Sequence, residues 1–169
     1  NQMPDICSVP LSYYGVYEES YVYKLGILVR FIQNHVKLIL DNPDIISNNI
    51  FKHYNDNMGD IRGKTIYLVE DELTKEVSSA PRIKKIYPNP IRIVTREEIT
   101  EAIANRDDKV VFLHKVGPEG TKIKARCYKI LIGADDANFY YFDYHLISKK
   151  KPDGFLPEDF KKLSRQVKE

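Results

Sequence analysis

Four groups of residues have the types and spacing that chemistry needs. The first lies at the ends of apolar runs. Glu70, Asp71 and Glu72 follow one run, Thr95 and Arg96 follow a second, and His114, Lys115 and Gly117 close a third. At the carboxyl ends of parallel strands, acids near a Thr and a Lys can hold a divalent cation and a phosphoryl group. The second group is Asp143 and His145, two apart on one strand, the spacing of a base oriented by a carboxylate. The third is Cys127, which with His114 or His145 has the makings of a thiol dyad. The fourth is basic. Lys122, Lys124 and Arg126, interleaved with Tyr141 and His145, suit a single nucleic acid strand.

Each group also has a plainer reading. Loops at strand ends commonly carry solvated polar residues. Cys127 falls mid-strand among apolar neighbours, where thiols are inert. Asp143 and His145 have no nucleophile or metal set beside them and read as a pair on a wet sheet face. The chain has no GxGxxG, no Walker-type phosphate loop, no GxSxG, no CxxC and no HExxH. No cofactor and no metal site is therefore predicted. The oxygen-rich stretch Asn55 to Asp60 fails the EF-hand pattern, because Tyr54 stands where the first Asp must be. Cys7 and Cys127 are the two cysteines. They form either one disulfide, tying the N-terminal segment to the sheet, or two separate thiols.

Charge narrows the partners. The net charge is +2, too small to imply a polyanionic partner. From Thr121 onward there are 11 basic residues against 7 acidic, and before it 15 against 17. That excess is weaker than the dense basic stripe of a nucleic-acid binder, so nucleic acid is not the expected partner. The chain starts Asn1-Gln2-Met3. A processed or trimmed start is expected, with a periplasmic or secreted location if a secretion signal has been removed.

The elements that position these residues follow from periodicity. Residues 1–19 read as an irregular segment laid over the body. Ser20 to Leu40 reads as a helix, since Leu25, Leu28, Ile32, Val36 and Ile39 recur at threes and fours. This stripe is expected to pack on a sheet, with Lys24, Arg30, Gln33, Asn34 and Lys37 on the polar side. The internal charges argue against a membrane span. Asn42 and Pro43 start a second helix, carried by Ile46, Ile50 and Tyr54.

Thr65 to Val69 is the first strand. Leu73 to Tyr87 is loosely helical and broken at Pro81. Ile91 to Val94 is a short strand. Thr95-Arg96-Glu97-Glu98 is a capping box that opens the next helix. Lys109 to Val116 is apolar enough to be covered on both faces. Two hairpins follow, with strands from Thr121 to Ile132 and from Phe139 to Ile147. Tyr140, Phe142, Tyr144 and Leu146 are expected on one face of the last strand, and Phe139, Tyr141, Asp143 and His145 on the other, partly wet face, where Arg126 or Lys124 is placed to pair across with Asp143. Leu156, Phe160, Leu163 and Val167 mark a C-terminal helix.

The expected fold is a single α/β domain over residues 1–169. Its mixed five-stranded sheet has a β-α-β-α-β parallel core and an antiparallel C-terminal hairpin extension. Two helices precede the sheet and one short helix closes it. The strand order is 2-1-3-4-5 if the crossover helices lie on opposite faces, and 1-2-3-4-5 if they share one. The expected function is a non-catalytic binding or interaction module of the cell envelope, with a protein or small-molecule partner. The alternative is a small-ligand or phosphoryl-handling domain. Candidate contacts are Lys122, Lys124, Arg126, Asp143 and His145 on the hairpin. At the strand ends they are Glu70, Asp71, Thr95, Arg96 and His114.

Overall fold

Apolar runs separated by turn residues become five strands in the computed structural model, which describes residues 21–46, 50–117 and 125–167. They are β1 (Thr65–Leu68), β2 (Ile91–Ile93), β3 (Val110–Val116), β4 (Arg126–Gly133) and β5 (Phe139–Leu146). The helices are α1 (Leu25–Asp41), α2 (Ile50–Asp56), α3 (Ala80–Lys84), α4 (Arg96–Ala104) and α5 (Pro157–Gln166). The sheet order is β2-β1-β3-β4-β5. β1 is parallel to both β2 and β3, and β3, β4 and β5 run antiparallel in turn.

This is the order expected when the crossovers take opposite faces, and the core divides accordingly. On one face, Ile83 of α3 and Phe160 and Leu163 of α5 pack with Ile66, Leu68, Val111, Leu113, Leu131 and Tyr141. On the other, Ile27 of α1 and Ile99, Ala102 and Ile103 of α4 pack with Val110, Phe112, Ile130, Ile132 and Phe139. β3 is buried on both faces, which accounts for its unbroken apolar run.

The capping box forms as its spelling requires. Thr95 Oγ1 accepts from Glu98 N at 3.3 Å, and Glu98 Oε2 accepts from Thr95 N at 2.9 Å. Pro81 does not break a helix. It occupies the first turn of α3, where its missing N–H leaves no bond unmade. The rest of that segment is 3-10 turns at Glu70–Glu72 and Lys75–Val77. The expected second helix is divided into a 3-10 turn at Pro43–Ile46 and α2. Residues 1–20, with Cys7, and residues 118–124, where a turn and a strand start are expected and which include Lys122 and Lys124, lie outside the described residues.

Two expectations are overturned by packing. The first concerns α1. Its apolar stripe points to solvent, with Leu25, Val29, Ile32 and Val36 exposed. The face docked on the body carries Ile27 and Phe31 together with the polar Arg30 and Asn34. Arg30 donates to the carbonyls of Ala134 and Asp135 at 2.7 and 2.9 Å, and Asn34 donates to that of Asp136 at 2.7 Å. The turn between β4 and β5 presents unpaired carbonyls, and these polar side chains satisfy them.

The second is the facing of β5. A bulge interrupts the β4–β5 pairing at Leu131/Ile132. Tyr140 is the extra residue, so Phe139 and Tyr141 point to opposite faces. The Tyr140 ring fits because Gly59 and Gly133 lie against it. A Cβ on them would come within 2.4 and 2.8 Å of ring atoms. Its hydroxyl donates to Asp136 Oδ2 at 2.8 Å.

Helix α5 is held by a buried ion pair. Asp159 Oδ1 accepts from Lys129 Nζ at 2.6 Å and from the Tyr141 hydroxyl at 2.9 Å. Asp159 Oδ2 accepts from Leu156 N at 2.7 Å, at the helix N-terminus. Both charged side chains are 2% exposed or less. Removing one partner of such a pair strands the other charge, so Asp159→Ala is expected to lower stability by about 3–5 kcal/mol in urea denaturation. Lys129→Met combined with Asp159→Leu is expected to recover most of that loss. A single-variant loss below about 1 kcal/mol would show that the pair does not hold the helix.

Candidate functional site

Two places bring candidate residues together. The first is a shallow cleft of about 420 Å³ at the carboxyl ends of β1 and β2, lined by Glu70, Asp71, Thr95 and Arg96 among others. Four of the five strand-end candidates therefore meet. The fifth does not. His114 is buried in β3, 2% exposed, opposite Ile130 and away from the cleft lining.

The cleft's charges are already engaged. Asp71 forms an ion pair with Arg96. Glu98 is shared between the Thr95 amide and Arg92, whose guanidinium lies 2.6 Å from Oε1. Thr95 Oγ1 is spent on its cap. Behind them, Glu72 is buried and accepts from Lys24 Nζ at 2.8 Å and, at 3.4 Å, from the Tyr23 hydroxyl. Burial and the adjacent Glu72 charge push the Tyr23 phenol far above its usual range, so it stays protonated. Among the described residues, no group of three or more His, Cys, Asp or Glu side chains could hold a metal ion.

The second place is the β4–β5 hairpin, and here the expected faces are exchanged. Cys127 pairs directly with His145 and Lys129 with Asp143, so all four share the face covered by α5. Asp143 accepts from Lys162 and from the Tyr141 hydroxyl. Burial opposes its ionisation. Lys162, the Tyr144 amide and the charge of Lys129 outweigh that and hold the carboxyl below its usual range. His145 Nε2 lies 2.9 Å from the Pro152 carbonyl and donates to it. Its Nδ1 is buried with no hydrogen-bond partner. Burial lowers its pKa, since a second ring proton would find no acceptor. Asp143 and His145 thus lie beneath a helix with partners on the body, and they do not form a wet pair.

Cys127 is a buried free thiol, 3.9 Å from the Gly154 carbonyl, and burial pushes it up to about 12. That leaves no reactive thiolate at neutral pH, so a dyad with a histidine is unsupported. Arg126 does not pair across to Asp143. It stands opposite Leu146 on the other face.

That other face is what sequence reasoning missed. Tyr128, Phe142, Tyr144 and Leu146 line it with Arg126. Phe142, Tyr144 and Leu146 are 40%, 48% and 62% exposed. The rings of Tyr128 and Tyr144 lie 5.6 Å apart, and the Arg126 guanidinium sits 5.3 Å from the Tyr144 ring centre. Helices α1 and α2 cover the near end of this face, where Phe31 stacks on Phe139 and Tyr54 is tilted against it, each with ring centres 5.2 Å away. They leave the far end open. The sequence signal was present in the alternation Cys127, Lys129, Leu131 against Tyr128, Ile130, Ile132. Lys129 among apolar residues hid it.

No helix among the described residues is long and apolar enough to cross a membrane. No family model, no curated protein and no solved structure matches the chain.

The depressed pKa of His145 sets a pH dependence. Below the ordinary histidine pKa of about 6.5, the unfolded chain takes up a proton that the native site resists, so stability falls as pH falls. His35, lowered by burial and by His53, acts in the same sense. Urea midpoints are expected to drop between pH 7.5 and 5.5, and His145→Gln is expected to flatten that drop. An equal slope in the variant would remove His145 from the account.

Proposed function

We propose that the protein is a non-catalytic interaction module whose partner docks on the outer face of the β4–β5 hairpin. One observation carries the reading. Three large apolar side chains stand exposed in a row on β5, on the sheet face whose central part α1, α2 and α4 cover. A scattered exposed Leu needs no explanation, but a contiguous apolar patch marks a contact surface. The patch is rich in aromatics and contains an arginine, the residue types that dominate binding hot spots.

The backbone edge of β5 is a poorer docking site than its face. The Phe139 carbonyl accepts from Gly59 N at 2.7 Å, and the Tyr144 amide donates to the Asp143 carboxylate at 2.9 Å. Bonds of this kind blunt an edge strand against pairing with another chain. Arg126 on the face, and exposed Lys149, Lys150 and Lys151 just beyond Leu146, favour a protein partner that is apolar at its centre and acidic at its rim.

The test is site-specific photo-crosslinking. A crosslinking phenylalanine analogue at position 144 is expected to yield one discrete protein adduct in cells. The same analogue at exposed Lys109 is expected to yield none, and Leu146→Glu is expected to abolish the adduct. With the partner in hand, Tyr144→Ala is expected to weaken binding about 30-fold, the effect of a hot spot worth about 2 kcal/mol. Equal labelling from positions 144 and 109 would sink the proposal.

A second reading rests on the cleft, whose volume is within the range of small-molecule sites. A divalent cation or phosphoryl group would have to displace Arg96 from Asp71, which disfavours it. Magnesium titration followed by NMR is expected to leave the Asp71 and Thr95 amides unmoved. A saturable shift at both would make this the better reading.

A further inference from the structure

We propose that α1 is one strand of a two-helix seam, and that a second copy of this chain supplies the other. The spacing of its outward residues carries this. Val22, Leu25, Val29, Ile32 and Val36 are all exposed, at 42%, 37%, 54%, 51% and 50%. They recur at three, four, three and four, and half-exposed Ile39 continues the series at three. That is the heptad period of a coiled-coil seam, with Val22, Val29 and Val36 in one core position and Leu25, Ile32 and Ile39 in the other. From Leu25 to Ile39 along α1 it spans roughly 21 Å at 1.5 Å per residue, and Val22 extends it on the 3-10 turn that leads into the helix.

The helix's back is what a free coiled coil would show to water. Here Ile27, Arg30, Phe31 and Asn34 anchor it to the chain's own sheet. The anchor keeps the seam facing out and holds it straight, so pairing needs no further ordering of the backbone.

The flanks of the seam point to a like partner. Gly26 and Gln33 border it on one side, and Leu28 and His35 on the other, with no carboxylate, lysine or arginine among them. Charges at these flanking positions are what set partner choice and repel copies of the same helix. Without them the seam is self-complementary, as a two-fold interface requires. The exposed stripe amounts to roughly 500 Å² per copy, at the upper end of the largest patches on monomers. Pairing two stripes would cover roughly 1,000 Å², the lower bound for a specific interface.

A lipid surface fits less well, because a surface-bound helix carries lysine and arginine on its polar face. Here Lys24 is buried against Glu72 and Arg30 is bound to carbonyls, which leaves Lys37.

Sedimentation equilibrium of the full chain decides the matter. The wild type is expected to rise with concentration from one chain mass toward two, each of 19.7 kDa. Val29→Glu with Ile32→Glu is expected to weaken association at least 100-fold with an unchanged far-ultraviolet circular dichroism spectrum. Should that variant fail to fold, Ile32→Asn alone is expected to weaken association at least 10-fold. Lys37→Glu, off the seam, and Phe142→Glu with Tyr144→Glu, on the hairpin, are expected to leave the dimer intact. A wild type that stays monomeric into the sub-millimolar range overturns the proposal, whether residues 1–20 or another protein then covers the stripe. So does a dimer that survives the seam variants, or one that only the hairpin variants dissolve.

Discussion

A carboxylate and an ammonium group sealed between a helix and a sheet set the terms for the C-terminal half of this protein. Lys129 projects from β4 into the layer beneath α5, where its charge can persist only if a partner meets it. Asp159 is that partner, and its two oxygens also satisfy the Tyr141 hydroxyl and the amide of Leu156, which caps the helix. The helix start, the ion pair and the sheet face are therefore one unit. Just before the helix, Phe155 forms a bridge with Leu73, and its amide donates to the Glu72 carbonyl at 2.9 Å. The segment leaving β1 and the segment entering α5 are tied at one place. Gly154 lies there with φ of 124° and no room for a side chain beside the Glu72 carbonyl.

Once α5 is placed, the two faces of the hairpin have different fates. Asp143, His145 and Cys127 are enclosed and given structural partners. Tyr128, Phe142, Tyr144 and Leu146 face outward because, among the described residues, no element reaches the far end of that side. The bulge at Tyr140 matters for the same reason. It lets Phe139 join the core under α1 and α2 while Tyr141 joins the core under α5. A regular strand would have to put both residues on one face.

Much of the secondary structure was legible in the residues. The capping box at Thr95 and Glu98, the doubly buried run of β3 and the parallel order of β1 and β2 follow from short-range rules, and the structure contains them. The cleft at Asp71, Thr95 and Arg96 was also legible, because strand ends are fixed once the strands are. The hairpin faces were not. The register between β4 and β5 depends on a bulge at Tyr140, whose ring needs the space beside Gly59 and Gly133. Gly59 lies about eighty residues from the bulge in sequence. Polarity was a poor guide too, since Asp143 and His145 look wet until Lys129, Lys162 and the Pro152 carbonyl are seen around them.

Helix α1 shows the division most clearly. Periodicity by itself determined that the stretch read as Ser20 to Leu40 is largely helical and that it has an apolar stripe. It also picked out Leu25, Ile32, Val36 and Ile39 of that stripe, but it missed Val29 and counted Leu28, which lies at the flank. Only the tertiary structure decided which way the stripe faces. Periodicity reports that apolar residues share a side but contains no information about the neighbour. The neighbour here is a turn whose exposed carbonyls recruit Arg30 and Asn34 in place of the stripe. Local spacing sets what a helix can bury, and the unmet hydrogen-bonding groups of distant segments set what it does bury.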